Sequence, residues 1–490
     1  MNTLKDILYR CSIKRVSGNT GMPISGIIFD SRKAASGIVF VAVRGTQADG
    51  HDFIPEVASK GVAAIVCEKL PDALHEEVTY VEVSDSAEAL AIMAGNFYGN
   101  PSSKLNLVGI TGTNGKTTTA TLLYKLFLEA GYKTGLISTV RNMVYLTPVP
   151  STHTTPDPVS LNALLDQMVQ EGCEFCFMEV SSHAVVQQRV AGLVFKGGVF
   201  TNLTHDHLDY HKTFDAYLKA KKTFFDGLPA SAFAITNIDD RNGSVMVQNT
   251  RAVIKTLAVK KQADFHCRII ENHFDGLQLN INGRDVWCRL VGSFNAYNLL
   301  SIYATAVMLG LPQEEALTGL SKLTAVDGRF EYMKSPSGIT AIVDYAHTPD
   351  ALLNVISTIN DIRAGSGRLI TVVGAGGNRD KTKRPVMAKI AAENSNVTIL
   401  TSDNPRFENP DDILMDMEAG VSADRRKHVL TISDRKQAIR TAATLAGSGD
   451  IILVAGKGHE TYQEIAGVKH HFDDREEVAM ALEINWGENK

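Results

Sequence analysis

Residues 105–131, LNLVGITGTNGKTTTATLLYKLFLEAG, constrain the fold more than any other stretch of this chain. A short apolar run (105–110) enters a glycine-rich turn, and the turn opens a segment with apolar residues at helical spacing. Leu122, Leu123, Leu126 and Phe127 share one helical face, and Gly131 supplies a stop. Further apolar strands are expected at 175–180, 197–203 and 232–238, with helical patterns between most of them. That alternation marks a parallel α/β core. It resumes at 340–346, 368–375, 396–400, 428–433 and 450–456, where a doubly wound, Rossmann-like sheet is expected. The stretch 27–45 reads as part of a smaller α/β unit.

Two breaks rich in turn formers, YGNPSSKLN (98–106) and MKSPSGIT (333–340), divide the chain. The expectation is an α/β protein of three domains. Residues 1–103 form the smaller unit, 104–334 a central parallel sheet carrying a phosphate loop, and 335–490 the doubly wound sheet.

Composition narrows the function by exclusion. A net charge of −5 over 490 residues favours neither nucleic acid nor an anionic membrane surface. No apolar stretch reaches the roughly 18 residues of a spanning helix, and the first twenty residues lack the apolar core of a signal peptide. Six cysteines do not make a disulfide framework. The one close pair, Cys173 and Cys176, lies in an apolar run and reads as buried thiols rather than a redox or zinc motif. A soluble, cytoplasmic, monomeric protein is expected.

The turn at 112–117, GTNGKT, follows a strand and opens a helix. Glycines let backbone N–H groups close around phosphates, and the helix dipole adds to the attraction. Lys116 would reach the β- and γ-phosphates and Thr117 would ligate Mg²⁺. The longer G-x-x-x-x-G-K-[ST] pattern does not fit, because Ile110 stands at its first glycine. Nucleotide binding is the expectation; a glycine-rich turn with a solvated lysine is the alternative.

GTNGKTTT resembles the ATP loop of the Mur ligases and of their folylpolyglutamate synthase relatives. The resemblance runs on through TTPD (154–157), MEVSSHAVVQQRV (178–190), TNLTHDHLDYH (201–211), NIDD (237–240), GSFNAYN (292–298), DGRFE (327–331), DYAHTPD (344–350), GGNRDKTKRP (376–385), DNPR (403–406) and AGKGHE (455–460). It is strongest with the branch that adds the third amino acid of the peptidoglycan stem peptide. The resemblance implies that the first domain binds a UDP-sugar, the second ATP and the third the incoming amino acid. It also implies activation of a carboxylate by ATP as an acyl phosphate, which an amine then attacks.

By the same resemblance Gly112, Thr113, Asn114, Gly115, Lys116, Thr117 and Thr118 form the ATP loop. Asp240, Asn295, Asn298, Arg329 and Asp344 would complete the nucleotide site, and His347 joins Lys116, Glu179, His207 and Lys221 as catalytic residues. Structural capping of the following helix is the alternative for Asp344 and His347. The implied Mg²⁺ ligands are Thr117, Glu179, His207 and Lys221, the last as a carbamate formed with CO₂. Taken alone, His207 reads as a hydrogen-bonded structural histidine, and Lys221 belongs to a helix whose Lys219 and Lys222 read as solvated. UDP-MurNAc-L-Ala-D-Glu would contact Phe29, Ser31, Thr46, Gln47, Ala48, His153, Thr154, Thr155, Ser181, Gln187 and Arg189. Thr46 stands where the family often has His, and His153 where Asn is common.

DNPR raises its own question, because it places a guanidinium in a tight turn after an apolar strand. In the resembled branch this motif marks enzymes that take meso-diaminopimelate rather than L-lysine. The two amino acids differ by one carboxylate, which an arginine can grip with two parallel hydrogen bonds. Such a site rejects the analogue that leaves the arginine without a partner. Asp403, Asn404, Pro405 and Arg406, with Arg379, Gly456 and Glu460, form the implied pocket, and Glu460 would receive the distal ammonium. A lysine-adding ligase, a folylpolyglutamate synthase-like ligase and a nucleotide-binding switch are the competing readings. The "DNPR" turn, the N-terminal domain and the Glu179–His207–Lys221 set argue against them in turn.

Overall fold

The computed structural model describes residues 2–45 and 48–484. Three main sheets follow one another along the chain. The first has five strands in the order Ile13–Ser17, Thr79–Val83, Ala64–Cys67, Ile38–Val41 and Gly26–Ile28, all parallel except the first pair.

The central sheet has eleven strands. It is parallel from Phe265–His273 through Val253–Ala258, Phe233–Asn237, Gly197–Phe200, Asn106–Thr111 and Phe175–Glu179 to Thr134–Ile137. Antiparallel strands extend both edges, at 276–288 and 142–149. Sequence periodicity anticipated the parallel centre but not these flanks. In Gly276–Ile281 one face is buried and the other only partly, because Leu277, Leu279 and Ile281 pack with Leu299, Ile302 and Tyr303 of the helix Ser293–Met308.

The expected helix after the phosphate loop is Lys116–Glu129. Its Leu122, Leu123, Leu126 and Phe127 are almost wholly buried in the central core. Burial of each such side chain contributes about 1.5–3 kcal/mol. Cys173 and Cys176 are buried free thiols, both pushed up by burial, as expected of core residues.

The third sheet runs Glu331–Lys334, Thr340–Asp344, Ile451–Ala455, Leu369–Ala375, Val397–Ser402, Val429–Thr431, parallel after an antiparallel first pair. Its edge strand, Glu331–Lys334, precedes the boundary at 335 that turn composition suggested; the sheet begins before the Pro/Gly-rich break, because that break is the tight turn of a hairpin. Helices cover both faces, with separate apolar clusters on either side. Strand ends at Asp344, Ala375, Ser402 and Ala455 gather at one edge, where open parallel sheets place their ligands.

That edge is braced from within by a buried ion pair. Arg435 and Asp474 are fully buried, with Nε to Oδ1 at 2.7 Å and Nη2 to Oδ2 at 2.7 Å. The guanidinium also donates to the carbonyls of Ser402 (3.3 Å) and Ala455 (3.0 Å), so it satisfies two strand ends at once. Asp474→Ala leaves the guanidinium buried without its carboxylate and is expected to cost about 3–5 kcal/mol. Hydrogen exchange should then accelerate in peptides covering 397–402 and 451–455; unchanged protection there would contradict the bracing role.

Candidate active site

The phosphate loop is held in a backbone conformation that only glycine takes easily. Gly112 (φ +151°) and Gly115 (φ +86°) occupy backbone regions that favour glycine. A Cβ at Gly112 would lie 1.9 Å from Thr201 Oγ1, and one at Gly115 would lie 2.4 Å from Asn298 Oδ1. The loop is therefore clamped between the strand end at Thr201–Asn202 and the helix bearing Asn295 and Asn298. Thr113 N–H donates to Asn202 O (2.8 Å), Asn114 N–H to Asn202 Oδ1 (2.9 Å), and Asn298 Nδ2 to Asn295 Oδ1 (2.9 Å). Lys116 Nζ donates to the carbonyls of Gly112 (2.9 Å) and Thr113 (2.7 Å).

Lys221 is 1% exposed, and its Nζ donates to Gly112 O at 2.8 Å. Burial, then the charge of Lys116, holds its ammonium well below the usual lysine range. Burial also lowers Lys116. Of its neighbours, Lys219 is exposed as expected, whereas Lys222 is not simply solvated: it pairs with Asp226 one turn on, at 2.6 Å.

Glu179 ends its strand fully buried. Thr139 N–H donates to Oε1 at 2.8 Å, while Oε2 is buried with no hydrogen-bond partner. His207, in a left-handed turn (φ +55°), packs edge-on against His183, and burial holds its imidazole neutral at pH 7, down to about 3. Among the described residues no three His, Cys, Asp or Glu side chains converge as a metal cluster. The orphaned Glu179 oxygen, neutral His207 and the Thr117 hydroxyl nonetheless face one cavity, and this oxygen-rich, uncrowded set fits Mg²⁺ shared with phosphates.

That cavity holds about 1370 Å³ and lies between the central and third sheets. Apart from Gly112, the whole phosphate loop lines it, as do Asp240, Arg329, Asp344 and His347. Arg329 reaches Thr117 Oγ1 (3.3 Å) and stacks on Tyr345 (4.3 Å to the ring centre). Asp344 accepts from Phe330 N–H at 2.6 Å, and burial raises its carboxyl to about 6. The capping alternative fails, because Thr348 caps the helix Pro349–Arg363. Asp240 has both oxygens engaged by N–H groups, of Leu203 (2.7 Å) and Asn242 (2.7 Å), so much of its work is to tie two loops together.

The peptide-binding candidates form a connected run on the same wall. Thr155 Oγ1 donates to Glu179 O (2.8 Å), Arg189 Nη1 to Thr155 O (2.7 Å), and Arg189 Nη2 to Gln187 Oε1 (2.6 Å). Ser181 caps the short helix beyond Glu179, and Thr154 accepts from the Thr139 hydroxyl. His153 lines the cavity, whereas Gln187 lies off the wall and donates to the Tyr210 hydroxyl at 3.2 Å. Phe29, Ser31 and Ala48 are not on the cavity wall but on the first unit, with Phe29 43% exposed. Thr46 and Gln47 lie outside the described residues.

The DNPR turn is tied into its surroundings by both side chain and backbone. Arg406 (φ +54°) lines the cavity, donates through Nη1 to Gly377 O (2.8 Å) and lies 3.5 Å from Glu464. Its N–H and C=O join the strand Tyr462–Ile465 and the residue after it. Asn404 is nearly buried and donates to Glu460 Oε2 at 2.8 Å. A Cβ at Gly456 would lie 2.6 Å from Asp403 Oδ2, which explains the glycine. Arg379 is exposed on the cavity rim, and Pro405 supports the turn without lining it.

Several cavity residues went unread in the sequence. His459 stands inside the quoted AGKGHE, and Tyr345 inside DYAHTPD, yet short motifs do not say which side chains turn inward. Asp350 was also missed; it accepts from Asn114 Nδ2 at 2.9 Å and so links the phosphate loop to the third unit.

A phosphate loop, a carboxylate with a free buried oxygen, and a separate pocket of paired charges facing them across one cavity suit an enzyme that couples a nucleotide to chemistry on a second substrate. The chain belongs to the Mur ligase family. It matches the family's catalytic domain at residues 23–98, its middle domain at 110–306 and its glutamate ligase domain at 328–458. It is 58% identical to the UDP-N-acetylmuramoyl-L-alanyl-D-glutamate–2,6-diaminopimelate ligase of Cytophaga hutchinsonii, over 96% of this chain and 97% of that one. A solved 2,6-diaminopimelate ligase superimposes with a TM-score of 0.70 at 30% identity, covering 98% of this chain and 99% of the other. The fold is also that of the MurF ligase from Thermotoga maritima, solved with ADP (TM-score 0.63, 20% identity, 93% and 96% covered).

Burial of the site's histidines has a measurable consequence. His347 Nδ1 donates to Tyr345 O at 2.8 Å, and burial lowers the imidazole from 6.5 to about 4. As pH falls, the unfolded chain takes up this proton first, so stability is full above about 6.5 and is lost progressively towards 4. The urea midpoint should therefore fall between pH 7.5 and 5.0, and His347→Gln should reduce that fall. An identical pH dependence in the variant would contradict the assignment.

Proposed function

We propose that this protein joins meso-2,6-diaminopimelate to the D-Glu carboxylate of UDP-MurNAc-L-Ala-D-Glu in an ATP-dependent amide ligation of peptidoglycan precursor synthesis. The observation that carries the reading is the end-to-end identity to a diaminopimelate ligase; the Arg406 guanidinium on the cavity wall supports it. ATP supplies the phosphoryl group that activates the carboxylate as an acyl phosphate, and Mg²⁺ neutralises charge where the anions meet. The substrates are cytoplasmic metabolites, and we place the enzyme there.

The chain's own residues supply position and charge. Lys116, Arg329 and the loop N–H groups hold the phosphates. Phe29, Ser31, Thr46, Gln47 and Ala48 take the uridine end of the sugar nucleotide. His153, Thr154, Thr155, Ser181, Gln187 and Arg189 hold the muramoyl peptide, leading its terminal carboxylate towards Glu179 and His207. Asp240, Asn295, Asn298 and Asp344 hold the nucleoside, and His347 lies beside the phosphates. Arg379, Asp403, Asn404, Pro405, Arg406, Gly456 and Glu460 receive the amino acid, with Arg406 on its distal carboxylate and Glu460 on its distal ammonium.

Lys221 acts as a carbamate. Its depressed basicity keeps a share of the amine neutral, and a neutral amine adds to CO₂ with loss of a proton. The product carries one negative charge where Lys116 supplies a positive one, which removes the like-charge conflict at Gly112 O. Lys221→Ala should lose most activity and regain part of it with small carboxylates such as formate or acetate; full activity without them would refute the carbamate.

Phosphate release from ATP and Mg²⁺ with UDP-MurNAc-L-Ala-D-Glu tests the whole reading, with meso-diaminopimelate, L-lysine or L-ornithine supplied in parallel. Strong release is expected with diaminopimelate alone, and release with lysine instead would overturn the pocket assignment. In the same assay Arg406→Ala should raise the KM for diaminopimelate by about tenfold or more, the loss of a charged hydrogen-bonded partner. Unaltered kinetics would remove Arg406 from the site.

A further inference from the structure

Lys457 is a buried cation for which the proposed chemistry has no role. It is fully buried between Gly456 and Gly458, whose φ angles of +123° and +52° turn the chain sharply enough to send the side chain inward. Its Nζ donates to Asn404 Oδ1 (3.1 Å) and Glu460 Oε2 (3.2 Å), and lies 3.9 Å from Asp403 Oδ1. Glu464 N–H also donates to Asn404 Oδ1, at 2.9 Å. An amide has one acceptor end. With two donors aimed at it, Asn404 must present its oxygen to Lys457 and its Nδ2 to Glu460, which it meets at 2.8 Å. Glu460 Oε2 thus takes hydrogen bonds from both Asn404 and Lys457, which holds this carboxylate in one orientation at the cavity wall.

We infer that Lys457 is a positioning residue of the amino-acid pocket, fixing the orientation of Asn404 and Glu460 so that the Glu460 carboxylate meets the ammonium of the incoming amino acid. The inference rests on the reading that this pocket takes diaminopimelate. Lys457 does not touch the substrate; it acts through two residues that do. Without it Asp403 and Glu460, two neighbouring carboxylates that repel each other, would lose the cation that both approach within 4 Å.

The test is steady-state phosphate release by the intact protein, varying each substrate in turn with the other two saturating. Lys457→Met should raise the KM for diaminopimelate about tenfold to a hundredfold, the range for a charged hydrogen bond. The KM values for ATP and the sugar nucleotide should stay within about twofold, as for distant sites. In a Glu460→Gln background Lys457→Met should add less than about twofold, because coupled residues are not additive. Lys457→Gln, which keeps one donor for Asn404, should show a smaller rise in the same constant. An unchanged KM for diaminopimelate, a rise in all three constants together, or full multiplication in the double variant would overturn the inference. So would failure of both single variants to fold, which would assign Lys457 to the fold. If the wild-type protein shows no diaminopimelate-dependent release, the proposed function fails first; normal wild-type turnover with an indifferent Lys457→Met sinks the inference alone.

Discussion

Two lysines meet on one carbonyl oxygen, and the site is arranged around that contact. Gly112 O accepts from both Lys116 and Lys221. Two ammonium groups so close in a low-dielectric site repel strongly, so the pair is stable only if one gives up charge or an anion comes between them. The geometry that forces them together cannot relax, because Gly112 is pressed against Thr201 with no room for a side chain. The loop is thus built with an excess of positive potential that phosphates or a carbamate would neutralise.

The same loop is the hinge of communication between sheets. Asn114 faces Asn202 through its N–H and Asp350 through its amide, so one residue touches both the central and the third unit. Asp344 fastens the Arg329–Phe330 segment to the end of a third-sheet strand, while Arg141 pairs with Asp327 at 2.6 Å across the other side. These bonds bring Arg329 and the DNPR turn to one cavity. In the proposed ligation that convergence would bring together a carboxylate and an amine held by different units.

The proposed amino-acid pocket rests on support from below. The Arg435–Asp474 pair satisfies the carbonyl ends of Ser402 and Ala455, the residues from which DNPR and AGKGHE depart. With the strand ends anchored, Asn404 and Glu460 can be held by Lys457 rather than by solvent, and Arg406 can keep a left-handed turn.

The local sequence determined the strands, the glycine loop and the helix behind it. Periodicity and turn chemistry act over a few residues, and Leu122, Leu123, Leu126 and Phe127 carry that signal openly. Family motifs reached further, and most of the residues they named, from Lys116 to Glu460, line the cavity. Tertiary structure alone decided which of them are free to act. Asp240 has its oxygens engaged while Glu179 keeps one unpartnered, and no local pattern separates the two carboxylates. The antiparallel flanks of the central sheet were hidden because their strands are half-buried by a helix distant in sequence. Lys457 looked like any lysine between two glycines; its importance arises from Asn404, which approaches it from 53 residues away and is itself fixed by Glu464 N–H. Burial and hydrogen-bond satisfaction are properties of the assembled fold, so they become legible only once the chain has closed upon itself.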